Sequence, residues 1–238
     1  MADRKPRVGI VAALAREVDS LVRGKRPTRV IAEGRRIAVY ETDSWVAACG
    51  GIGREAAQAS AEVLVEKYKV NTLMSCGLSG ALIPQLKLPQ TFIAGRVIDA
   101  ASTREWSNPA GAVTLVSAAS ILGPAAKREL ASKFSAQAVD MEAAAVAEVA
   151  EQAGIPFVAL KSISDELDFP LPPLQRFVKA DGSLAMGRLL VFLLFHPGQW
   201  PAVIALARNS RRASLALTQV LRHQIDKQFE AASALKSK

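Results

Sequence analysis

An α/β fold is predicted by three features of the 238-residue sequence: half of it is hydrophobic, with many Ala; short apolar runs alternate with Ala-rich stretches of helical length; and Gly and Pro separate them. The clearest instance is residues 138–168, AVDMEAAAVAEVAEQAGIPFVALKSISDELD. Residues 141–153 are rich in Ala and Glu and lack Gly and Pro, which predicts a helix from propensity alone. Gly154 suits the left-handed residue that closes a helix, and Pro156 prevents its continuation. The short apolar run 157–163, flanked by breakers, predicts a buried strand. Acids mark both ends of this unit. Asp140 and Glu142 enter the helix, and Ser164 and Asp165 leave the strand at its carboxyl end, where open α/β sheets bind ligands. The same residues also suit a helix cap and a plain turn.

The other elements follow in chain order. Arg4, Lys5 and Arg7 precede an apolar run, 8–15, that is short for a signal peptide and leads directly into Arg16-Glu17. Residues 7–14 are therefore a first strand, and cytoplasmic residence is expected. Runs 37–42 and 45–49 predict a meander of paired strands. Gly50-Gly51-Ile52-Gly53-Arg54 then opens a long Ala-rich helix to Tyr68. Glycines there either bring backbone N–H groups close to an anion or hydroxyl, or make an ordinary turn. Residues 70–75 are a strand running into the Gly-rich loop Cys76-Gly77-Leu78-Ser79-Gly80, and 92–98 and 113–116 are further strands.

Composition limits the function. The chain is long enough for one well-buried domain. Two cysteines, Cys49 and Cys76, in apolar runs and two histidines, His196 and His223, support neither a disulfide framework nor a metal site. From Pro170 onward 10 Lys or Arg face 3 acids, a charge of +7, while the remaining 20 basic and 19 acidic residues give +1. The chain is thus divided into a nearly neutral part, residues 1–182, and a basic, helical C-terminal extension, residues 183–238. In the extension seven apolar residues, 189–195, are stopped by His196-Pro197-Gly198-Gln199-Trp200-Pro201, too early to span a bilayer. Residues 202–222 predict a helix with Arg208, Arg211, Arg212 and Arg222 on one face and Val203, Leu206, Leu217, Val220 and Leu221 largely opposite; Ile204 and Leu215 break the pattern. A basic amphipathic helix beside Trp200 suits either the surface of an anionic membrane or a neighbouring subunit. With few aromatics and no recognisable module, nucleic acid is not the expected partner.

Val139-Asp140-Met141-Glu142-Ala143, then Pro156-Phe157 and Ile163-Ser164-Asp165, resemble the signature of the nucleoside phosphorylase and nucleosidase superfamily, which includes the methylthioadenosine/S-adenosylhomocysteine nucleosidases. The resemblance implies a three-layer domain with a central mixed sheet flanked by helices. Asp140 stands where the family usually has Glu. Glu17 matches the family's water-activating Glu, the Gly51-Ile52-Gly53 turn is shared, and Gly77, Leu78 and Ser79 match a segment that passes under base and ribose. Phosphorylase relatives place an Arg where Thr72 stands, leaving Arg16 and Arg54 as candidate phosphate contacts. The chain is also shorter than the methylthioadenosine enzymes after residues 92–98, and Ser120-Ile121 replace their base-stacking aromatic. In these respects it is similar to the compact hopanoid-associated phosphorylases, thought to remove adenine from adenosylhopane.

The resemblance implies cleavage of the N-glycosidic bond of an adenine nucleoside. Asp165, kept protonated by burial and oriented by Ser164, would donate to purine N7. Glu142, with Asp140 beside it, would hold the ribose and stabilise its developing positive charge. Glu17 would activate water, and Met141 would lie beneath the sugar. No cofactor is implied; phosphate is a co-substrate if the reaction is phosphorolytic. A methylthioadenosine/S-adenosylhomocysteine nucleosidase and a non-catalytic lipid-surface scaffold are the other readings, and relatives imply a homo-oligomer.

Overall fold

The computed structural model describes residues 7–172, 174–177, 179, 182 and 185–236; Arg4 and Lys5 lie outside them. Strand β1 (Val8–Ala12), wholly buried, leads through a 3-10 turn (Ala15–Val18) and the short helix α1 (Asp19–Val22) into an antiparallel meander of β2 (Thr28–Ala32), β3 (Arg35–Glu41) and β4 (Trp45–Cys49). Helix α2 (Arg54–Glu66) crosses back to β5 (Thr72–Ala81). Strands β6 (Thr91–Asp99), β7 (Glu105–Ser107) and β8 (Val113–Ser117) follow, then helix α3 (Pro124–Phe134), strand β9 (Ala138–Asp140), helix α4 (Ala143–Gln152) and strand β10 (Phe157–Asp165). The chain ends in α5 (Met186–Phe195) and the long α6 (Trp200–Lys236).

All described strands join one mixed sheet in the order β10-β6-β8-β9-β5-β1-β4-β3-β2, with β7 on β6. An extra pairing of β10 with β5 closes five of the strands into a ring, from which β1, β4, β3 and β2 extend as a wing. Helices α2 and α4 cover one face: Ala57, Ala61 and Leu64 of α2 and Val146 and Ala150 of α4 are buried with Val11, Val46 and Leu73 of the sheet. On the other face Leu217, Leu221 and Ile225 of α6 are buried with Ile10, Met74 and Leu160. The three layers expected from the sequence are present. The small Ala side chains let α2 and α4 approach each other and the sheet closely.

Four local expectations are revised. Residues 76–80 are not a loop, because β5 runs through them to Ala81, holding β10 on one side and β9 on the other. Asp140 does not enter the helix. It ends β9, and α4 starts at Ala143, closing at Gly154, whose φ is +64°. Ser164 and Asp165 have not left β10; a register shift between Ile163 and Asp165 re-aims the Asp165 side chain while pairing with Gly80 continues. The last helix is also much longer than residues 202–222, and its apolar face is spent on the sheet. Leu217, Leu221 and Ile225 are nearly fully buried, contributing roughly 1.5–3 kcal/mol each. Ile204 and Leu215, which break the sequence pattern, are 48% and 55% exposed. Among the described residues no helix is long and apolar enough to cross a membrane.

Candidate active site

The carboxyl ends of β1, β5 and β10 converge on a cavity of about 200 Å³. Glu17, Glu142 and Asp165 all line it, although they are far apart in the chain. So do Gly51 and Ile52 from the turn before α2, Gly77, Leu78 and Ser79 from β5, and Asp140, Met141 and Ser164. Gly53 is the one predicted residue off its wall; its N–H donates to Glu142 Oε1 at 2.9 Å. Ser79 Oγ is buried without a hydrogen-bond partner among the described residues.

Strand β5 sets the spacing of the acids. A methyl group at position 77 would stand 3.1 Å from Glu17 Oε2, and one at position 80 would stand 2.8 Å from Asp165 Oδ2. Glycine therefore admits one carboxyl at each point, and three strand residues separate the two points by about 10 Å. Glu17 and Asp165 thus reach the cavity at different points along β5.

At the Glu17 end the acids crowd one another. Ala13 and Leu14 N–H groups donate to Glu17 Oε2 at 3.1 and 3.3 Å. Burial, reinforced by the neighbouring Glu142 carboxylate, pushes Glu17 up to about 7. Glu142 accepts from Gly53 and, at 3.1 Å, from Met141 N–H. Burial and then Asp140 lift it above the usual carboxylate range.

Asp140 lines the cavity, and its carboxylate is also engaged by the protein itself. Its carboxylate accepts from Ser117 Oγ (2.6 Å), Ala143 N–H (2.9 Å) and Lys161 Nζ (2.8 Å), and its side chain is fully buried. It thereby caps α4 and fixes Glu142 two residues on. Lys161, missed by the sequence reading, is 1% exposed and also donates to Ser75 Oγ at 2.9 Å. Burial pulls its ammonium down, yet Asp140 and Glu142 together outweigh this and raise it.

The Asp165 end differs. Ser164 Oγ donates to Asp165 Oδ1 at 2.7 Å, as its expected orienting role requires. The carboxyl does not stand alone in an apolar pocket, however. Lys127 of α3, also 1% exposed, forms an ion pair with Oδ2 and donates to the Glu166 carbonyl at 3.0 Å. Both lysines carried a sequence signal: Lys161 interrupts an apolar strand, and Lys127 shares a helical stripe with Leu130, Ala131 and Phe134, which pack inward.

The remaining expectations concern the rim. Arg54 is bound to Asp99 at 2.7 Å and Glu148 at 2.6 Å and lines a neighbouring cleft. Arg16 lines the cavity, whereas Thr72 is buried at the start of β5. Ser120, Ile121 and Leu122 line the cavity, as do Leu206 and Ser210 of α6. Among the described residues no group of three or more His, Cys, Asp or Glu could hold a metal ion. Cys49 and Cys76 are free and buried.

The family model of the Phosphorylase superfamily matches residues 7–120 and 111–190. A 5'-methylthioadenosine/S-adenosylhomocysteine nucleosidase of Shewanella baltica is 26% identical over 231 residues, 80% of this chain and 98% of the relative. One from Buchnera aphidicola is 28% identical over 200 residues, 68% of this chain and 79% of its own length. Among solved structures, the Helicobacter pylori 5'-methylthioadenosine/S-adenosyl homocysteine nucleosidase superposes with a TM-score of 0.68 at 16% identity, covering 94% of this chain and 99% of its own. The Helicobacter pylori futalosine hydrolase has the same TM-score and identity, covering 94% and 98%. With a family match across most of its length and a cavity lined by four acids on the matching fold, this chain belongs to the Phosphorylase superfamily.

Proposed function

We propose that the chain cleaves the N-glycosidic bond of an adenine nucleoside by hydrolysis, and that the nucleoside carries a long apolar 5' substituent, adenosylhopane in hopanoid biosynthesis. Membership of the superfamily makes it an enzyme of the nucleosidase or phosphorylase type. The observation that carries the proposal is a single cavity that Glu17 reaches beside Gly77 of β5 and Asp165 beside Gly80, with Glu142 also on its wall. As the bond breaks, positive charge develops on the ribose and negative charge on the purine. Glu142 and Glu17 supply negative charge at one end. With its pKa near neutrality, Glu17 is poised to take a proton from the attacking water. The Asp165 end serves the purine, and Met141 forms apolar wall between them. This chemistry asks for no cofactor.

The 5' substituent is inferred from α6. Trp200, Val203, Leu206 and Ser210 recur at helical spacing and form one face leading from the cavity wall toward α5. There Val191, Leu194 and Phe195 are 58%, 69% and 72% exposed. Arg188, Arg208, Arg211 and Arg212 are also exposed and add positive charge to α5 and α6. Peripheral contact of residues 183–238 with an anionic membrane, from the cytoplasmic side, fits both features; a second copy of the chain is the other candidate for this apolar surface, and analytical ultracentrifugation tests it.

The test is adenine release from methylthioadenosine and from an adenosyl lipid, with and without phosphate and anionic liposomes. Phosphate-independent release, faster for the lipid on liposomes, is expected. No release from either nucleoside overturns the activity. Strict phosphate dependence instead selects phosphorolysis, which the position of Arg16 on the cavity wall favours as the second reading.

A further inference from the structure

We infer that the proton delivered to the departing purine comes from the Lys127 ammonium, with Asp165 acting as the carboxylate that holds Lys127 and reads the 6-amino group. This rests on the cavity being a nucleoside site. Three observations support it. Lys127 is 1% exposed, and a lysine is buried in this way only when its charge is matched. Its match is Asp165 itself, on a different element, and Gly80 of β5 leaves the room: a methyl group there would lie 3.2 Å from both Cε and Nζ of Lys127. Finally, an ammonium has three N–H groups. One serves Asp165 Oδ2 and one the Glu166 carbonyl at 3.0 Å, while the remaining contact, to the Asp165 carbonyl, is stretched to 3.5 Å. Lys127 lines the cavity, so this weakly used N–H is the one available to a ligand.

The pair presents one donor and one acceptor side by side. The matching edge of adenine offers an acceptor at N7 and a donor at the 6-amino group, whereas a 6-oxopurine offers two acceptors. Lys127 to N7 and the 6-amino group to Asp165 satisfies adenine. The same arrangement sets O6 of a 6-oxopurine against a carboxylate.

The step balances without a further reagent. The C1'–N9 bond breaks with its electron pair going to the purine, and a Lys127 proton forms N7–H. Adenine leaves neutral and Lys127 becomes a neutral amine. Water adds its oxygen to C1' and gives a proton to Glu17; solvent then takes that proton and returns one to Lys127.

The test compares two substrates in Lys127→Met: an adenine nucleoside, whose leaving group needs the proton, and 4-nitrophenyl β-D-riboside, whose leaving group does not. Adenine release is expected to fall about 100-fold or more, with nitrophenol release within about threefold of wild type. Lys127→Ala should lose adenine release similarly and regain it with added methylamine. Adenine release within threefold of wild type in Lys127→Met overturns the assignment and leaves Asp165 as the acid. Loss of both substrates without methylamine rescue in Lys127→Ala also overturns it, making Lys127 structural. A wild-type chain that cleaves neither substrate overturns the nucleoside reading, and the assignment with it.

Discussion

Glu17 and Asp165 are both carboxyls, 6% and 8% exposed, and each is admitted to the cavity by a glycine of β5. Their company differs. Glu17 has two backbone N–H groups and an acidic neighbour, Glu142, while Asp165 has a serine hydroxyl and a whole ammonium. The comparison teaches that burial alone does not assign chemistry to a carboxyl; the charge next to it does. One end gathers acidic groups, and the other pairs its acid with a lysine.

The sharpest way to break the comparison is to neutralise each acid. Glu17→Gln is expected to lower turnover by about 10²–10⁴ on both an adenine nucleoside and 4-nitrophenyl β-D-riboside, because both need an activated nucleophile. Asp165→Asn should lose a similar factor on the nucleoside and little on the nitrophenyl riboside. Equal losses on both substrates in Asp165→Asn would show that the two ends do not divide the work.

Next in size is the charge network beneath the Glu17 end. Lys161→Met leaves Asp140 and Glu142 uncompensated in the core and is expected to cost about 3–5 kcal/mol in urea unfolding. A loss below about 1 kcal/mol would mean that Lys161 does not hold the acids together.

The pH profile separates the ends more gently. Glu17 must lose its proton to act as base, and burial raises that ionisation to about 7. Wild-type kcat/KM should therefore fall about tenfold per unit as pH drops below about 7 and level off above it, and this limb should vanish in Glu17→Gln. A profile flat from pH 5 to 8 would remove Glu17 as the base. The smallest effect is expected at the rim: Leu206→Ala should raise KM about tenfold for an adenosyl lipid, leaving methylthioadenosine unchanged.

Much of the fold could be read locally. Period, Gly154 and Pro156 place α4 and β10, and the Ala-rich run after Gly53 places α2. Helix α3 was harder because Lys127, Arg128 and Lys133 dilute its apolar stripe, although Pro124 marks its first turn. Strand β9 is three residues long, too short for any period to show, and β5 outran its expected end because Gly77 and Gly80 look like loop residues in isolation. The role of α6 was open for another reason. An amphipathic helix with a basic face looks the same whether its apolar side meets lipid, another subunit or its own sheet, and the burial of Leu217 and Leu221 against Ile10 and Met74 answers that for the helix centre.

By itself, the sequence determined the α/β class, because propensity and breakers are short-range properties of neighbouring residues, whereas Glu17, Glu142 and Asp165 were singled out by resemblance to a family. The tertiary structure alone decided who stands beside each carboxyl. Lys127 reaches Asp165 across 38 residues, and Gly53 reaches Glu142 across 89. Charge partners at such separations are set by how strands close and helices pack, which no local window of sequence contains.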